Sequence, residues 1–536
     1  MIGPFRTWLR VAAGLIVLVS LVGCCRLATM SPPGLTPETA TTPTPTAAPT
    51  ITPPPTAAPT GAPGTKPTPR VPQAPLFGPP WSERTIYRTG LTPGEWPILD
   101  ALDDASEYRI DLTIADSFTE VQGRQQVRYT NQEEEPLSEI YMRLFPNALG
   151  GEMAVSSITD DGQSADVQTH FARTALLVTL PVPLAPGAST VIELAYRITV
   201  PETLDTGYGL LSYTDGILAL DTPYAPIPVY DDEGWNVEDP PATADTSYYD
   251  VSFYLVRVTA PPALALAAAG VEVERTAEGA AQTVTFAHGP ARDFSLAASA
   301  AYDIASQQVD DVLIRSFALE SGRVGARIAS DVAVEALRIF AERFGPYPFS
   351  EFDVAATPML ALGIEYPGII GISAEILDGD APRQALIETT VAHEVAHQWF
   401  YGLVGNDQVD EPWLDEALAQ YATWLYYLDR YGEAPAELVR EGWFSRWERV
   451  DRAAVPVGLP AAAYDGLQYG AIVYGRGPLF VSALAERMGQ ETFDRFLREY
   501  SDRHRWGIAT TASFEEMAEA ACDCSLDDLF SEWLAP

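Results

Sequence analysis

Positive charge is scarce in this chain: 33 Lys and Arg stand against 73 Asp and Glu over 536 residues, a formal net charge of −40. So large an acidic excess repels a phosphate backbone and argues against nucleic acid as a partner. It gives a self-repelling surface and says little about a substrate. Long apolar runs are missing as well. Residues 11–22 are apolar for only about twelve positions, whereas a membrane-spanning helix needs about 20. Cysteine occurs four times and completes no metal site. Cys522 and Cys524 flank Asp523, too close for an unstrained disulfide within a helix, and are expected to be small core residues or a strained exported pair. Histidine occurs only five times, and His170, His288 and His504 have no ligand-like spacing.

The two remaining histidines lie four positions apart. Residues 389–400 read TTVAHEVAHQWF. As a helix, this stretch puts His393 and His397 on one face, one turn apart, with Glu394 beside them. Imidazoles so placed can share one zinc ion, leaving the Glu394 carboxylate free to act as a general base on water. Downstream, WLDEALAQY at residues 413–421 has the period of a second helix, and Glu416 lies nineteen positions after His397. Residues 402–412 form a loop long enough for the second helix to pack on the first and present Glu416 as a third ligand. Trp413, Leu414, Ala417 and Leu418 argue that this face is buried. Three protein ligands with one position left for solvent is the catalytic arrangement of zinc, not the structural one.

H-E-x-x-H, eighteen intervening residues and the Glu of a W-L-x-E helix resemble the aminopeptidase N family of zinc metallopeptidases, the gluzincins. Two more elements carry the resemblance. Leu362-Gly363-Ile364-Glu365-Tyr366 is similar to the family's G-x-M-E-N segment. The resemblance implies that Glu365 grips the substrate's free α-amino group, with Gly363 and Tyr366 beside the substrate. Tyr474, in Tyr474-Gly475-Arg476-Gly477, matches the family's Y-x-K-G element and would stabilise the oxyanion. This chain departs from the pattern around the amine site, with Leu362, Ile364 and Tyr366 where the family has Gly, Met and Asn. A free N-terminus is therefore less firmly implied than zinc hydrolysis. The resemblance covers residues from about 294 onward and, more weakly, the β-rich part before them. The family's large C-terminal helical-repeat domain is not expected here, which would leave a more open cleft.

From the start of the chain, Arg6 and Arg10 precede the short apolar run as in a signal peptide. Leu21-Val22-Gly23-Cys24 then resembles a bacterial lipobox, whose cysteine is acylated. Lipidation at Cys24 would make this an exported, cell-envelope lipoprotein anchored to the bacterial membrane. An ordinary signal peptide would make it secreted. Residues 31–75 are rich in Pro, Thr and Ala, which cannot pack a core and suit either a semi-rigid spacer or a featureless tether. Alternating segments at 108–114, 125–130, 190–198, 251–258 and 282–286 read as antiparallel strands. Residues 224–235 combine aromatic and acidic side chains. They read as a turn packed by its own aromatics or as a lip of the cleft, with Asp231, Asp232 or Glu233 open as an amine-site contributor. Past residue 302 the period turns helical, with a helix at 324–344 stopped by Gly345-Pro346, a strand at 353–357, and helices from about 434 that include 469–488, 491–503 and 525–534.

The expected fold is an α+β multidomain chain: signal peptide 1–23, lipidated Cys24 and linker 24–76, a saddle- or sandwich-like antiparallel β domain 77–302, and a thermolysin-like, mainly α catalytic domain 303–536. The expected site is one zinc on His393, His397 and Glu416, Glu394 as general base, Tyr474 on the oxyanion, Glu365 on the amine, and Asp415 as acceptor from a ligating imidazole or a helix-surface acid. Peptides are the expected substrates. An endopeptidase or other amide hydrolase of the same fold, or a non-catalytic peptide-binding lipoprotein, remain the alternatives.

Overall fold

The computed structural model describes residues 76–77, 80–81, 83–238, 241, 247–379 and 381–535. The apolar leader, Cys24 and the Pro/Thr-rich stretch lie outside the described residues. Among the described residues no helix is long and apolar enough to cross a membrane.

Period-two alternation in the first half folds as sheet. Strands Glu107–Ile114, Glu120–Thr130, Ser189–Thr199, Ser252–Ala260 and Ala281–Ala291 belong to one eight-stranded sheet. In Glu120–Thr130 the buried positions Val121, Gly123, Gln125 and Val127 alternate with outward-facing ones. The one polar side chain in that inward row is satisfied. Gln125 donates to Ala225 O at 2.8 Å and accepts from Ala225 N at 2.8 Å, as a buried amide must. The sheet is not antiparallel throughout, because Glu107–Ile114 pairs parallel to Ser252–Ala260. Ile110, Leu112, Ile192, Leu194, Val256 and Val258 fill the core of this β region, each worth about 1.5–3 kcal/mol of apolar burial.

The aromatic and acidic stretch closes on itself. Tyr230–Asp231 pairs with Gly234–Trp235, and the Tyr230 and Trp235 rings meet at 5.1 Å. Asp231 accepts from Glu233 N, Asn236 and Tyr248, so its oxygens serve the hairpin itself.

Past residue 302 the structure departs from the expected helical period. Two strands come first, β1 (Asp303–Val309) and β2 (Val312–Ala318). β1 lies at the sheet's edge with mostly exposed side chains, so it carries no apolar repeat to read. Then follow α1 (Arg323–Phe344), β3 (Glu351–Thr357), β4 (Gly363–Tyr366) and β5 (Ile369–Ser373). The sheet order is β1-β2-β3-β5-β4, with β4 antiparallel to β5 and at the opposite edge. α1 ends at Gly345, whose φ of 109° suits glycine, and Pro346 prevents continuation.

The helical remainder comprises α2 (Gln384–Ala396), α3 (Trp413–Tyr431), α4 (Glu433–Trp447), α5 (Gly466–Ala471), a π-helical segment Ile472–Arg476, α6 (Gly477–Met488), α7 (Gln490–Arg503), α8 (Thr511–Cys522) and α9 (Asp527–Trp533). α2 is buried on every side from Thr390 to Ala396, which makes it a core helix and not an amphipathic one. Trp399, just past its end, donates to Gly345 O at 2.9 Å and ties α2 to the end of α1.

The β region is joined to the loop after α2 by Arg292. This fully buried guanidinium donates to the carbonyls of Tyr249, Tyr401, Leu403 and Gly507. Gly405 makes room for it, since a Cβ there would lie 2.2 Å from the guanidinium carbon.

Cys522 and Cys524 are joined by a disulfide, so of the two expectations the bonded pair holds and the reading as free core residues does not. Cys522 is the last residue of α8, and Asp523 takes a left-handed φ of 49°. The pair thus straddles the helix end and not its interior, with Cα atoms 5.2 Å apart, a separation a disulfide can span.

Candidate active site

α2 delivers His393, and His397 caps its end with φ −65° and ψ −11°, close enough to helical to keep the two rings on one face. α3 brings Glu416 to them in its first turn. His393 Nε2 and His397 Nε2 are 3.3 Å apart, and Glu416 Oε2 lies 3.1 Å from the first and 3.5 Å from the second. Despite these distances Glu416 Oε2 has no hydrogen bond of acceptable geometry, although it is buried.

His393, His397 and Glu416 each bring one potential ligand atom to the same point, which is the arrangement of a metal site. Ligands held about 2.0–2.2 Å from zinc at tetrahedral corners stand roughly 3.4 Å from each other. The three separations bracket that edge. The residues present therefore fit a zinc ion.

The tautomer of His397 follows from its other nitrogen. Nδ1 faces Phe400 O at 3.0 Å; a carbonyl only accepts, so Nδ1 carries the proton and Nε2 presents its lone pair inward. His393 Nδ1 meets the carboxamide nitrogen of Gln420 at 3.3 Å, and Gln420 Oε1 accepts from Arg446 at 3.2 Å. Asp415, the expected acceptor from an imidazole, has both oxygens engaged elsewhere. Oδ1 accepts from Glu416 N at 2.8 Å and Oδ2 from Gln408 at 2.6 Å. It is 1% exposed, so it is not a surface acid either.

Glu394 and Glu365 also lie close to His397. One ligating atom from each of Glu365, Glu394 and His397 lies within 4.8 Å of the others. Glu365 comes from the edge strand β4, opposite Ile370 of β5. Gly363, two residues earlier on the same face of β4, lets the Glu394 carboxylate lie against the backbone, since a Cβ there would come within 2.3 Å of Oε1. Tyr366 holds the far end of the strand. Its carbonyl accepts from Gln398 at 3.0 Å, while Gln398 Oε1 accepts from Gly368 N at 2.8 Å. The residue after His397 thus clamps the turn after Glu365.

Burial raises the pKa of Glu394 well above the ordinary carboxylate range, and the charge of Glu365 pushes it further. Burial also raises Glu365, partly offset by His397. Burial and then the charge of Glu416 push Asp415 to about 7. Glu416 goes the other way. Burial alone would raise it, but the His393 and His397 contacts outweigh that and hold it ionised.

Tyr474 approaches Glu416 from the opposite wall and donates to its Oε1. It sits in the π-helical segment between α5 and α6, an irregular turn that redirects a side chain a regular helix would aim elsewhere. Gly477 permits the approach, because a Cβ there would lie 2.8 Å from Ala417 Cβ, next to Glu416.

His393, His397, Glu416, Glu394, Glu365, Gly363 and Tyr474 are therefore gathered in one place, whereas Tyr366, expected beside the substrate, alternates to the opposite face of β4 and hydrogen-bonds Asp221 there. Reading the sequence did not single out Gln408, Gln420 or the Phe400 carbonyl. A carbonyl has no sequence signature, and the two glutamines looked like ordinary loop and helix residues.

Residues 328–533 match the model of the peptidase family M1 domain. The chain is 28% identical over 222 residues to aminopeptidase N of Lactobacillus delbrueckii subsp. lactis, an alignment covering 38% of this chain and 26% of that protein. It thus spans about a quarter of the length of that relative. A crystal structure of an M1 zinc metallopeptidase mutant from Deinococcus radiodurans superposes with a TM-score of 0.63 at 22% identity, covering 80% of this chain and 94% of that one. A second structure of that protein, bound to a Tyr-Ser-Ala substrate, gives 0.60 at 23% identity, covering 81% and 94%. At these identities the structures establish a shared fold. The matched segment holds both histidines, Glu365, Glu394, Glu416 and Tyr474, so over residues 328–533 the chain is similar to the peptidase family M1 domain.

Proposed function

We propose that this chain is a zinc-dependent aminopeptidase that removes N-terminal residues from peptides. The observation that carries the reading is the convergence of His393 Nε2, His397 Nε2 and Glu416 Oε2 at 3.1–3.5 Å with Glu394 one residue from the first ligand. Zinc held by these three residues supplies a Lewis acid for the scissile carbonyl and for water.

The remaining chemistry belongs to the chain. Glu394, buried and with a raised pKa, takes a proton from the attacking water and passes it to the leaving amine. The Tyr474 hydroxyl, which rests beside the ligand set on Glu416, would turn its single proton from that carboxylate to the carbonyl oxygen as negative charge grows there. β4, an unpaired sheet edge, offers main-chain groups to an extended peptide. Glu365 on that strand meets the terminal ammonium.

The test compares an alanyl anilide with its N-acetylated counterpart, with and without a zinc chelator. Cleavage of the free amine at least about a hundredfold faster is expected, because masking the ammonium leaves the buried Glu365 without its partner. Chelation should abolish both activities. Equal rates on the two anilides would make the chain an endopeptidase or a general amide hydrolase, and chelator-resistant cleavage would remove the zinc reading.

The lipobox-like Leu21-Val22-Gly23-Cys24 supports export and a lipid tether at the membrane. Cys24→Ser should shift the protein from the membrane fraction to the medium. Retention of the variant in membranes would leave lipidation at Cys24 without support.

A further inference from the structure

Gln408 lies in the loop between α2 and α3 and is 2% exposed. Its carboxamide meets groups from three parts of the fold. The nitrogen donates to Glu365 Oε1 at 3.1 Å, on the edge strand β4, and to Asp415 Oδ2 at 2.6 Å, beside the ligand Glu416. The oxygen accepts from Ser247 N at 3.2 Å. Chemistry fixes which end is which, because the Ser247 backbone N–H only donates and so must face the carboxamide oxygen, leaving the nitrogen to the two acids. Both amide protons are therefore committed, one to each acid. Asp415 in turn holds Glu416 N through Oδ1. An unbroken hydrogen-bonded chain links Glu365, Gln408, Asp415 and the backbone of Glu416.

We propose that Gln408 is a positioning residue for amine recognition, fixing the Glu365 carboxylate at a set place relative to the metal-ligand helix α3. The inference rests on the reading of Glu365 as the ammonium anchor. An aminopeptidase must hold the substrate's terminal nitrogen at a constant offset from the carbonyl under attack, and small misplacements of such an anchor are costly. β4 alone does not define that offset, since it is an edge strand paired on one side only. Gln408 ties it to the ligand set from the other side. It also places two N–H dipoles between Glu365 and Asp415, buried acids that would otherwise face each other directly.

The test uses the full chain carrying Gln408→Met, which keeps the length and loses both donors. Kinetics on the alanyl anilide and its N-acetylated counterpart are read together with zinc content. KM for the free amine should rise about tenfold or more, kcat should stay within about threefold, and the preference over the acetylated substrate should shrink accordingly. Zinc content should match wild type. Should Gln408→Met fail to fold, Gln408→Glu, of the same shape, should show the same loss of preference. Wild-type KM and preference in the variant would overturn the proposal, as would kcat and zinc content falling together with KM unchanged. If wild type itself cleaves both anilides equally, the ammonium reading falls and this inference with it. If wild type discriminates and Gln408→Met discriminates equally well, this inference alone falls.

Discussion

Glu394→Gln should retain zinc at the wild-type level and turn over at least about a thousandfold more slowly, the scale of losing a positioned general base together with its return of the proton. The carboxamide has the carboxylate's shape, so it still fits against Gly363. It is not one of the three converging donors, so the metal affinity has no reason to change. The substitution also replaces an acid whose charge is disfavoured by burial and by Glu365 with a neutral group. The midpoint of thermal unfolding should accordingly stay the same or rise. Metal analysis, steady-state kinetics and a melting curve on one preparation decide the matter. Wild-type turnover in a fully loaded variant would remove Glu394 from the chemistry.

Glu416→Ala should weaken zinc binding by at least about a hundredfold, more than is typical for removing a group that merely supports a ligand. Its sequence neighbour cannot take over. Asp415, adjacent in sequence, has one oxygen on Glu416 N and the other on Gln408. Tyr474 would lose its acceptor at the same time. Competition against a chromogenic chelator measures the affinity directly, without reference to activity. Unchanged affinity would mean that His393 and His397 bind the ion with some other donor, and the assignment of Glu416 as ligand would fail.

The ligand set was legible because a helix converts spacing into geometry. A spacing of four positions from His393 to His397 fixes one face, and apolar neighbours around Glu416 announce a buried one. The strands of the first half were legible for the same reason, with a period of two. β1 was not, since an edge strand with exposed side chains has nothing apolar to repeat. The spacing left the disulfide as one of two alternatives because the left-handed turn at Asp523 cannot be read from the two cysteines alone. Tyr474 needed the resemblance to a family. Its direction comes from a π-helical turn, and periodicity would place the same side chain on the wrong face of a regular helix. Gln408 stayed hidden because its three partners are brought together only by tertiary structure.

Arg292 and Gly405 form a compound position in any redesign of the loop after α2. Any side chain at 405 would displace the guanidinium, and shortening Arg292 to make space would strand the buried carbonyls of Tyr249, Tyr401 and Leu403. Neither site tolerates change first, so a stepwise search through single variants would find both frozen. Only a simultaneous exchange, with new donors supplied from elsewhere, could cross that barrier.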